Sequence, residues 1–250
     1  MIASIQLPNF LIEVDLSKPI DISIPLISGE QNLSAWYVNP PLFKAVESEY
    51  FIGDVSRGGA VNFKDIYFNP HGHGTHTECV GHISKEFQSI NKTLKNFFTL
   101  AQVISINPEI SAEDRIVRIK QISENILPGV DALIIRTLPN NNAKTNFQYS
   151  NTNPPYLETG TGKMLRERGI KHLLIDTPSI DKEFDEGKLV NHHEFWNYPQ
   201  EINNGNTITE FIFVPDSVED GYYLLNLQIA PFENDASPSK PILFKPLNNI

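Results

Sequence analysis

A single cysteine, Cys79, stands in 250 residues, so no disulfide forms within the chain and nothing marks an oxidising compartment. Long apolar runs are missing too. No stretch approaches membrane-spanning length, and the opening MIASIQLPNFLIEVDLSKPI lacks the basic start and extended apolar core of an export signal. These absences lead to the expectation of a cytoplasmic protein without membrane partners. Positive charge is scarce: 20 Lys and Arg face 30 Asp and Glu, a net charge of −10 with no basic cluster, which argues against nucleic acid and anionic membrane surfaces. Internal repeats and low-complexity tracts are absent. The remainder, 40% hydrophobic and 20% charged, is the composition of an ordinary folded protein, and this length suits one domain over residues 1–250 acting on a small molecule.

Histidine is unevenly spread. Four of the seven lie in Asn69 to His82, NPHGHGTHTECVGH, together with a glutamate, a cysteine and three glycines. Imidazole and carboxylate are the usual protein ligands of zinc, manganese and iron, so the loop reads as a metal cradle. If the run from His76 is extended, residues alternate faces, and His76, Glu78 and His82 point one way while Thr77 and Cys79 point the other. Cys79 is then a packing residue. His71 and His73 have the opposite parity, but Gly72 and Gly74 free the backbone to turn either ring toward the same point.

Two later features carry chemistry. Asn191 to Trp196 (NHHEFW) holds His192 and His193, a pair that by itself suits an ordinary loop as well as a ligand set. Glu210 is the only charge in the apolar run Thr207 to Val214, and a buried carboxylate needs a cation or strong hydrogen bonds. His172, opening an apolar strand without polar company, reads as a core histidine. Gly160-Thr161-Gly162-Lys163 lacks the spacing of a phosphate loop and reads as a helix start.

Along the chain, strands are expected at Phe10 to Val14, Asp21 to Leu26, Val61 to Phe68, Leu100 to Ile106, Asp131 to Thr137, His172 to Asp176, Thr207 to Val214 and Tyr222 to Ala230. Helices are expected over Ala112 to Asn125, after a Ser111 cap, and over Leu157 to Arg168, stopped at Gly169. Leu138 to Pro155 is a long loop rich in Asn and Pro, and the tail from Ser237 is proline-rich with one short apolar run, Ile242 to Phe244. Asp176 and Asp181 read as shaping the turn after their strand.

With these residues in view, the stretch His71 to His82 resembles the signature of the cyclase or kynurenine formamidase superfamily of metal-dependent hydrolases, His-x-Gly-Thr-His-x-Asp-x-Pro-x-His. Gly74-Thr75-His76, Glu78 and His82 match in register. Asp15-Leu16-Ser17-Lys18-Pro19-Ile20 is similar to the family's Asp-Leu-Ser-His-Pro opening, Asp176 to Asp181 to its Asp-x-x-Ser-x-Asp turn, and the His192 to Glu210 segment to its second His and Glu. The first histidine is out of register, because Gly72 stands at its position; His71 is preferred to His73. Glu78 replaces aspartate and Val80 replaces proline, which marks a divergent member.

The resemblance implies an α/β fold, a swivelling β/β/α-type single domain with a mixed central sheet or barrel-like core, and likewise hydrolysis of a small amide such as an N-formyl group or a lactam. It implies zinc or manganese, one or two ions, and a homodimer or homotetramer. The metal candidates are His71, His76, Glu78, His192, His193 and Glu210. Such an ion lowers the pKa of water from about 16 toward 7 and polarises the substrate carbonyl. His82 is the candidate general acid or base, with Glu210 a second catalytic candidate that holds water, and Trp36, Tyr37 and Trp196 are candidate walls for an aromatic substrate. Two other classes remain. His71-x-His73 followed by Glu78 fits half of a cupin motif, which would make the chain a β-barrel oxygenase or isomerase. A closed ligand set would make it a non-catalytic metal-binding protein.

Overall fold

The apolar runs of the sequence become the staves of a barrel. A computed structural model describes residues 1–7 and 11–248. Seven strands form the barrel: β1 (His76–Glu78), β2 (Phe98–Ile106), β3 (Ala132–Thr137), β4 (His172–Ile175), β5 (Thr207–Glu210), β6 (Gly221–Ile229) and β7 (Ala236–Phe244). Their order is β6-β2-β3-β4-β5-β1-β7, and β7 pairs back onto β6 to close the ring. Strands β2 to β5 are parallel neighbours, whereas β1 and β6 run antiparallel to both of theirs. The expected mixed, barrel-like α/β core is therefore present. A cupin is excluded, since its barrel has no block of parallel strands.

Parallel strands covered on both faces read as unbroken apolar runs, and β3 is buried at all six positions. Its residues alternate between two cores. Ala132 and Ile134 join Ala101, Val103, Leu174 and Leu225 inside the barrel. Leu133 and Ile135 join Leu173, Leu165 and Phe195 on the outside, under α2 (Thr161–Glu167) and α3 (Val190–Trp196). The two helices touch closely: a Cβ on Gly162 would lie 2.2 Å from the Asn191 carbonyl oxygen. Gly160-Thr161-Gly162-Lys163 thus opens a helix, and its second glycine serves the helix contact.

Several expected elements differ. Ala112 to Asn125 is no single helix. Glu109–Ser111 and Asp114–Val117 form a hairpin turned at Ala112, whose φ is 55°, and only Ile119–Ser123 is helical. The β-branched density of Ile110, Ile116 and Val117 outweighs the three-residue isoleucine spacing. Tyr156–Leu157, expected in the second helix, is a short strand, and that helix starts at Thr161. The strand expected over Asp21 to Leu26 shrinks to Ile20–Asp21 plus a bridge at Ser23, and that over Val61 to Phe68 to Lys64–Tyr67. The first strand runs Leu11–Asp15; Phe10 lies outside the described residues. In β5 the strand stops at Glu210 because Phe211 is left-handed, with φ 56°. The proline-rich tail, by contrast, conceals the nine-residue β7.

Candidate metal centre

The site lies at the carboxyl end of β5, on the outer face of the barrel where α3 packs. His76 and Glu210 are cross-strand partners, and Glu78 faces Ile208, so all three side chains share that face. Thr77 and Thr209 point to the opposite face and bond to each other at 2.8 Å. The strand β1 spans only three residues, so face parity ends at Glu78. His82 reaches the same point by a tight turn, Val80–His82. His71 comes from α1 (Pro70–His73), whose start is fixed by Pro70 and by the Asn69 side chain accepting from the Gly72 amide.

Each histidine is aimed by a partner on its far side. The Nδ1 of His76 donates to the Gly74 carbonyl at 3.0 Å, leaving Nε2 free to face the cluster. His192, delivered by α3, sits 2.7 Å from Asp181 through Nδ1 and 3.3 Å from Glu78 through Nε2, and the Trp196 ring backs it at 5.5 Å. His71 places Nδ1 3.1 Å from Glu78 and Nε2 2.8 Å from Asp235. The His82 ring lies over that of His71, 4.4 Å between centroids, with Nδ1 3.5 Å from Asp235. Glu78 is the hub: Oε2 faces His71 and His82, Oε1 faces His192. A cavity of about 300 Å³ opens onto the group, bordered by Trp36, Pro178 and Leu189.

The electrostatics call for positive charge. Glu78 is 0% exposed and Glu210 is 4% exposed, and burial alone disfavours ionised carboxylates. Desolvation works against the charge on Glu78, yet the rings of His82, His192 and His71 hold it well below the usual carboxylate range. Burial likewise opposes charging His71 and His192, but the carboxylates of Asp235 and Glu78 push the first to about 10 and those of Asp181 and Glu78 push the second to about 10. His76 Nε2, both Glu78 oxygens and Glu210 Oε1 are nevertheless buried without a hydrogen-bond partner of proper geometry among the described residues. Such orphans are costly, and a divalent cation satisfies them together. Within 4.8 Å of one another lie ligand atoms of three sets: His71, His76 and Glu78; Glu78, His82 and His192; and His71, His82 and Asp235.

Of the residues singled out in the sequence, His71, His76, Glu78, His82, His192 and Glu210 come together. His193 does not. Its Nδ1 faces the Tyr198 carbonyl at 3.1 Å on the other side of α3, because adjacent helical residues diverge by about 100°. His73 also turns away, accepting from the Asn69 amide at 2.8 Å. Trp36 borders the cavity, whereas Tyr37 points to Asn151 and Trp196 is fully buried, its indole donating to the Asn206 carbonyl. Asp181 shapes its turn and in addition grips His192. Asp235 was invisible in the sequence: it precedes β7, 164 residues from His71, and its only signal is the turn dipeptide Asn234-Asp235 before a strand.

The comparisons with known proteins agree with this architecture. The family described as putative cyclase matches residues 14–182. A kynurenine formamidase of Bacillus cytotoxicus is 28% identical over 229 residues, covering 91% of this chain and 97% of its own length. One from Bacillus anthracis is 25% identical over 232 residues, with the same coverage. Among solved structures, an isatin hydrolase bound to the product analogue thioisatinate has a TM-score of 0.65 at 12% identity, covering 92% of each chain. A predicted metal-dependent hydrolase from Bacillus stearothermophilus has a TM-score of 0.64 at 16% identity, over 91% of this chain and 98% of that one. Two thirds of the sequence, including the whole histidine loop and the turn that holds His192, fall under one family description, and this protein belongs to the putative cyclase family.

Proposed function

We propose that this protein is a metal-dependent hydrolase of small, non-peptide amides, with an N-formyl amide or a lactam as substrate. The observation that carries this reading is the buried set of unpartnered ligand atoms on His76, Glu78 and Glu210, next to a cavity sized for a small molecule that His71, His82, His192 and Glu210 border. Related kynurenine formamidases support the substrate class. The nitrogen and oxygen donor set suits zinc or manganese. His71, His76 and Glu78 would hold one ion, and His192 and Glu210 would supply donors for a second; Glu78 turns one oxygen toward His71 and the other toward His192. Such an ion supplies Lewis acidity, polarising a carbonyl and lowering the pKa of water.

The chain's own groups do the rest. Asp181 and the Gly74 carbonyl fix the rings of His192 and His76, so that each presents Nε2 to the floor. Glu210, at the end of β5, orients the attacking water by accepting its proton-bearing edge. His82 is the least buried histidine of the cluster, at the cavity mouth, where its ring passes a proton to the departing amine. Asp235, within reach of both His71 and His82, holds their rings in place. Trp36 offers an apolar wall for an aryl substituent. The open cavity favours catalysis over a purely structural metal site, whose ligand set would be closed.

A second copy of the chain completes the protein in this reading. Leu42, Phe63, Ile66 and Tyr67 are each about half exposed on the paired strands Leu42–Ala45 and Lys64–Tyr67 and the segment leading into them. A two-stranded ribbon with apolar residues in water is marginal alone, and covering it in a homodimer resolves that.

Elemental analysis of the purified protein, combined with hydrolysis of formanilide and of isatin by wild type and by His76→Ala, tests the proposal. Stoichiometric zinc or manganese and at least a hundredfold loss of activity in the variant are expected. Metal-free active protein, or unchanged activity in the variant, overturns it.

A further inference from the structure

A second cavity, of about 290 Å³, lies at the carboxyl ends of β3 and β4, and none of the metal-centre residues borders it. Part of its wall is apolar, formed by Pro139, Pro154 and Pro155 with Phe147 and Tyr149, whose rings meet edge to face at 4.9 Å. Its size is at the lower limit of small-molecule sites and suits a single ring.

Three charged groups border this space, and their partners differ. Lys144 is fully engaged, its Nζ 2.8 Å from Asp176 and also bonded to the Thr137 carbonyl and hydroxyl. That pair neutralises itself. Arg115 spends only Nη2, on the carbonyls of Thr152 and Asn153, and its Nη1 and Nε have no acceptor among the described residues. The cavity therefore carries one uncompensated positive charge with donors to spare.

Tyr149 adds the second observation. The residue is only 6% exposed and borders the cavity, and its hydroxyl, with no hydrogen bond among the described residues, keeps accessible surface and is free to donate to a molecule held there. Burial, reinforced by the neighbouring Asp176 carboxylate, keeps this phenol protonated and so a donor.

The geometry points to a second binding site in this chain, separate from the metal centre, for a small aromatic monocarboxylate. The ring packs among the prolines and Phe147, and the carboxylate accepts from the Arg115 guanidinium and the Tyr149 hydroxyl. The site is also linked to the metal centre by aromatic contact. The Tyr149 ring lies 5.6 Å from that of Phe211, which lies 5.9 Å from His76, and Phe211 is the left-handed residue immediately after Glu210.

Titration of the full-length, metal-loaded protein with 4-fluorobenzoate, followed by fluorine NMR, tests this. Saturable binding is expected, weakened at least tenfold by Arg115→Gln and by Tyr149→Phe and unchanged by Leu189→Ala, which trims the wall of the metal-centre cavity. Tyr149→Phe retains the buried ring, and an unfolding midpoint equal to wild type certifies that variant. Binding lost in Leu189→Ala and retained in Tyr149→Phe would place the carboxylate at the metal centre and overturn the proposal. Absence of saturable binding at millimolar probe overturns it too, as does a crystal structure in which a second copy's side chain fills the cavity.

Discussion

Asp181 is the sharpest place to perturb the metal centre without touching a proposed ligand. Its Oδ1 accepts from the Asn191 amide at 2.9 Å and from Asn191 Nδ2 at 3.1 Å. Its Oδ2 accepts from the His192 amide at 3.1 Å and from His192 Nδ1 at 2.7 Å. One carboxylate thus fixes the start of α3 and the ring that α3 delivers. In Asp181→Asn one of the two oxygens becomes an NH2 group, a donor facing donors whichever way the amide is turned. Two of the four hydrogen bonds are lost in a site only 6% exposed. At about 1–3 kcal/mol for each buried group left unpaired, the two lost bonds should cost the fold about 2–6 kcal/mol. For a chain of this size that lowers the unfolding midpoint by about 4–24 °C.

The ring suffers as well as the fold. Without a carboxylate at Nδ1, His192 loses both its fixed orientation and the basicity that partner confers, and loss of such an outer partner typically costs 10–100-fold in metal affinity. Chelator competition on wild type and Asp181→Asn reads the affinity, and thermal unfolding in excess metal and in chelator reads the stability. Metal affinity within twofold of wild type, in a variant that is folded, would refute the assignment of Asp181 as the residue that positions His192.

Other perturbations separate site from scaffold. His192→Ala should cost at least one equivalent of bound metal and nearly all activity, whereas His193→Ala should leave metal content unchanged; equal losses from both would show that α3 is turned differently. Burial lowers His172 to about 4, so the ring stays neutral in the fold but takes a proton near 6.5 once unfolded. Its contribution is complete above pH 6.5 and falls as pH drops toward 4; urea unfolding at pH 7 and 4.5 should show His172→Asn losing about 2–3 kcal/mol less than wild type between the two. A Cβ on Gly81 would lie 2.3 Å from the Gln88 carbonyl oxygen and 3.1 Å from the Asp235 side chain. Gly81→Ala should therefore lower the unfolding midpoint by at least 5 °C and weaken metal binding together, and a midpoint equal to wild type would mean that the loop relaxes freely.

How legible all this was depended on how local the cause was. The barrel's parallel strands were readable because burial on both faces leaves unbroken apolar runs, as in DALIIRT. The strand β7 was not, because Pro238 and Pro241 normally argue against a strand, and here they sit in ladders on both sides whose registers only the closed barrel sets. The hairpin at Ala112 was hidden by isoleucines spaced at three, because Ile119 and Ile122 do lie in a short helix, Ile119–Ser123, while Ile116 belongs to the strand Asp114–Val117 before it. In the site, His76 and Glu78 followed from strand parity and Glu210 from its isolation in an apolar run. His82 met its neighbours for a different reason than parity, through the tight turn after β1. Choosing His192 over His193 required knowing the face of α3, and Asp235 required knowing that β7 lies beside β1.

Two of the three departures from the family's loop, the displaced first histidine and the glutamate, are coupled in space. His71 lies one residue upstream of the position where the signature places its first histidine, and it sits within a single helical turn capped by Asn69 rather than on the strand. Glu78 is one methylene longer than aspartate. The backbone of β1 cannot shift to absorb either change, since Glu78 is held between Ile208 on β5 and Ala236 on β7. The longer side chain therefore carries the carboxylate farther off the barrel face, to where one oxygen stands 3.1 Å from His71 and the other 3.3 Å from His192. A histidine displaced by the inserted residue and a carboxylate with added reach compensate each other, so both substitutions are compatible with one intact centre. Asp235 belongs to the same adjustment: it holds the displaced His71 ring from behind, through a contact made only because β7 closes the barrel beside β1.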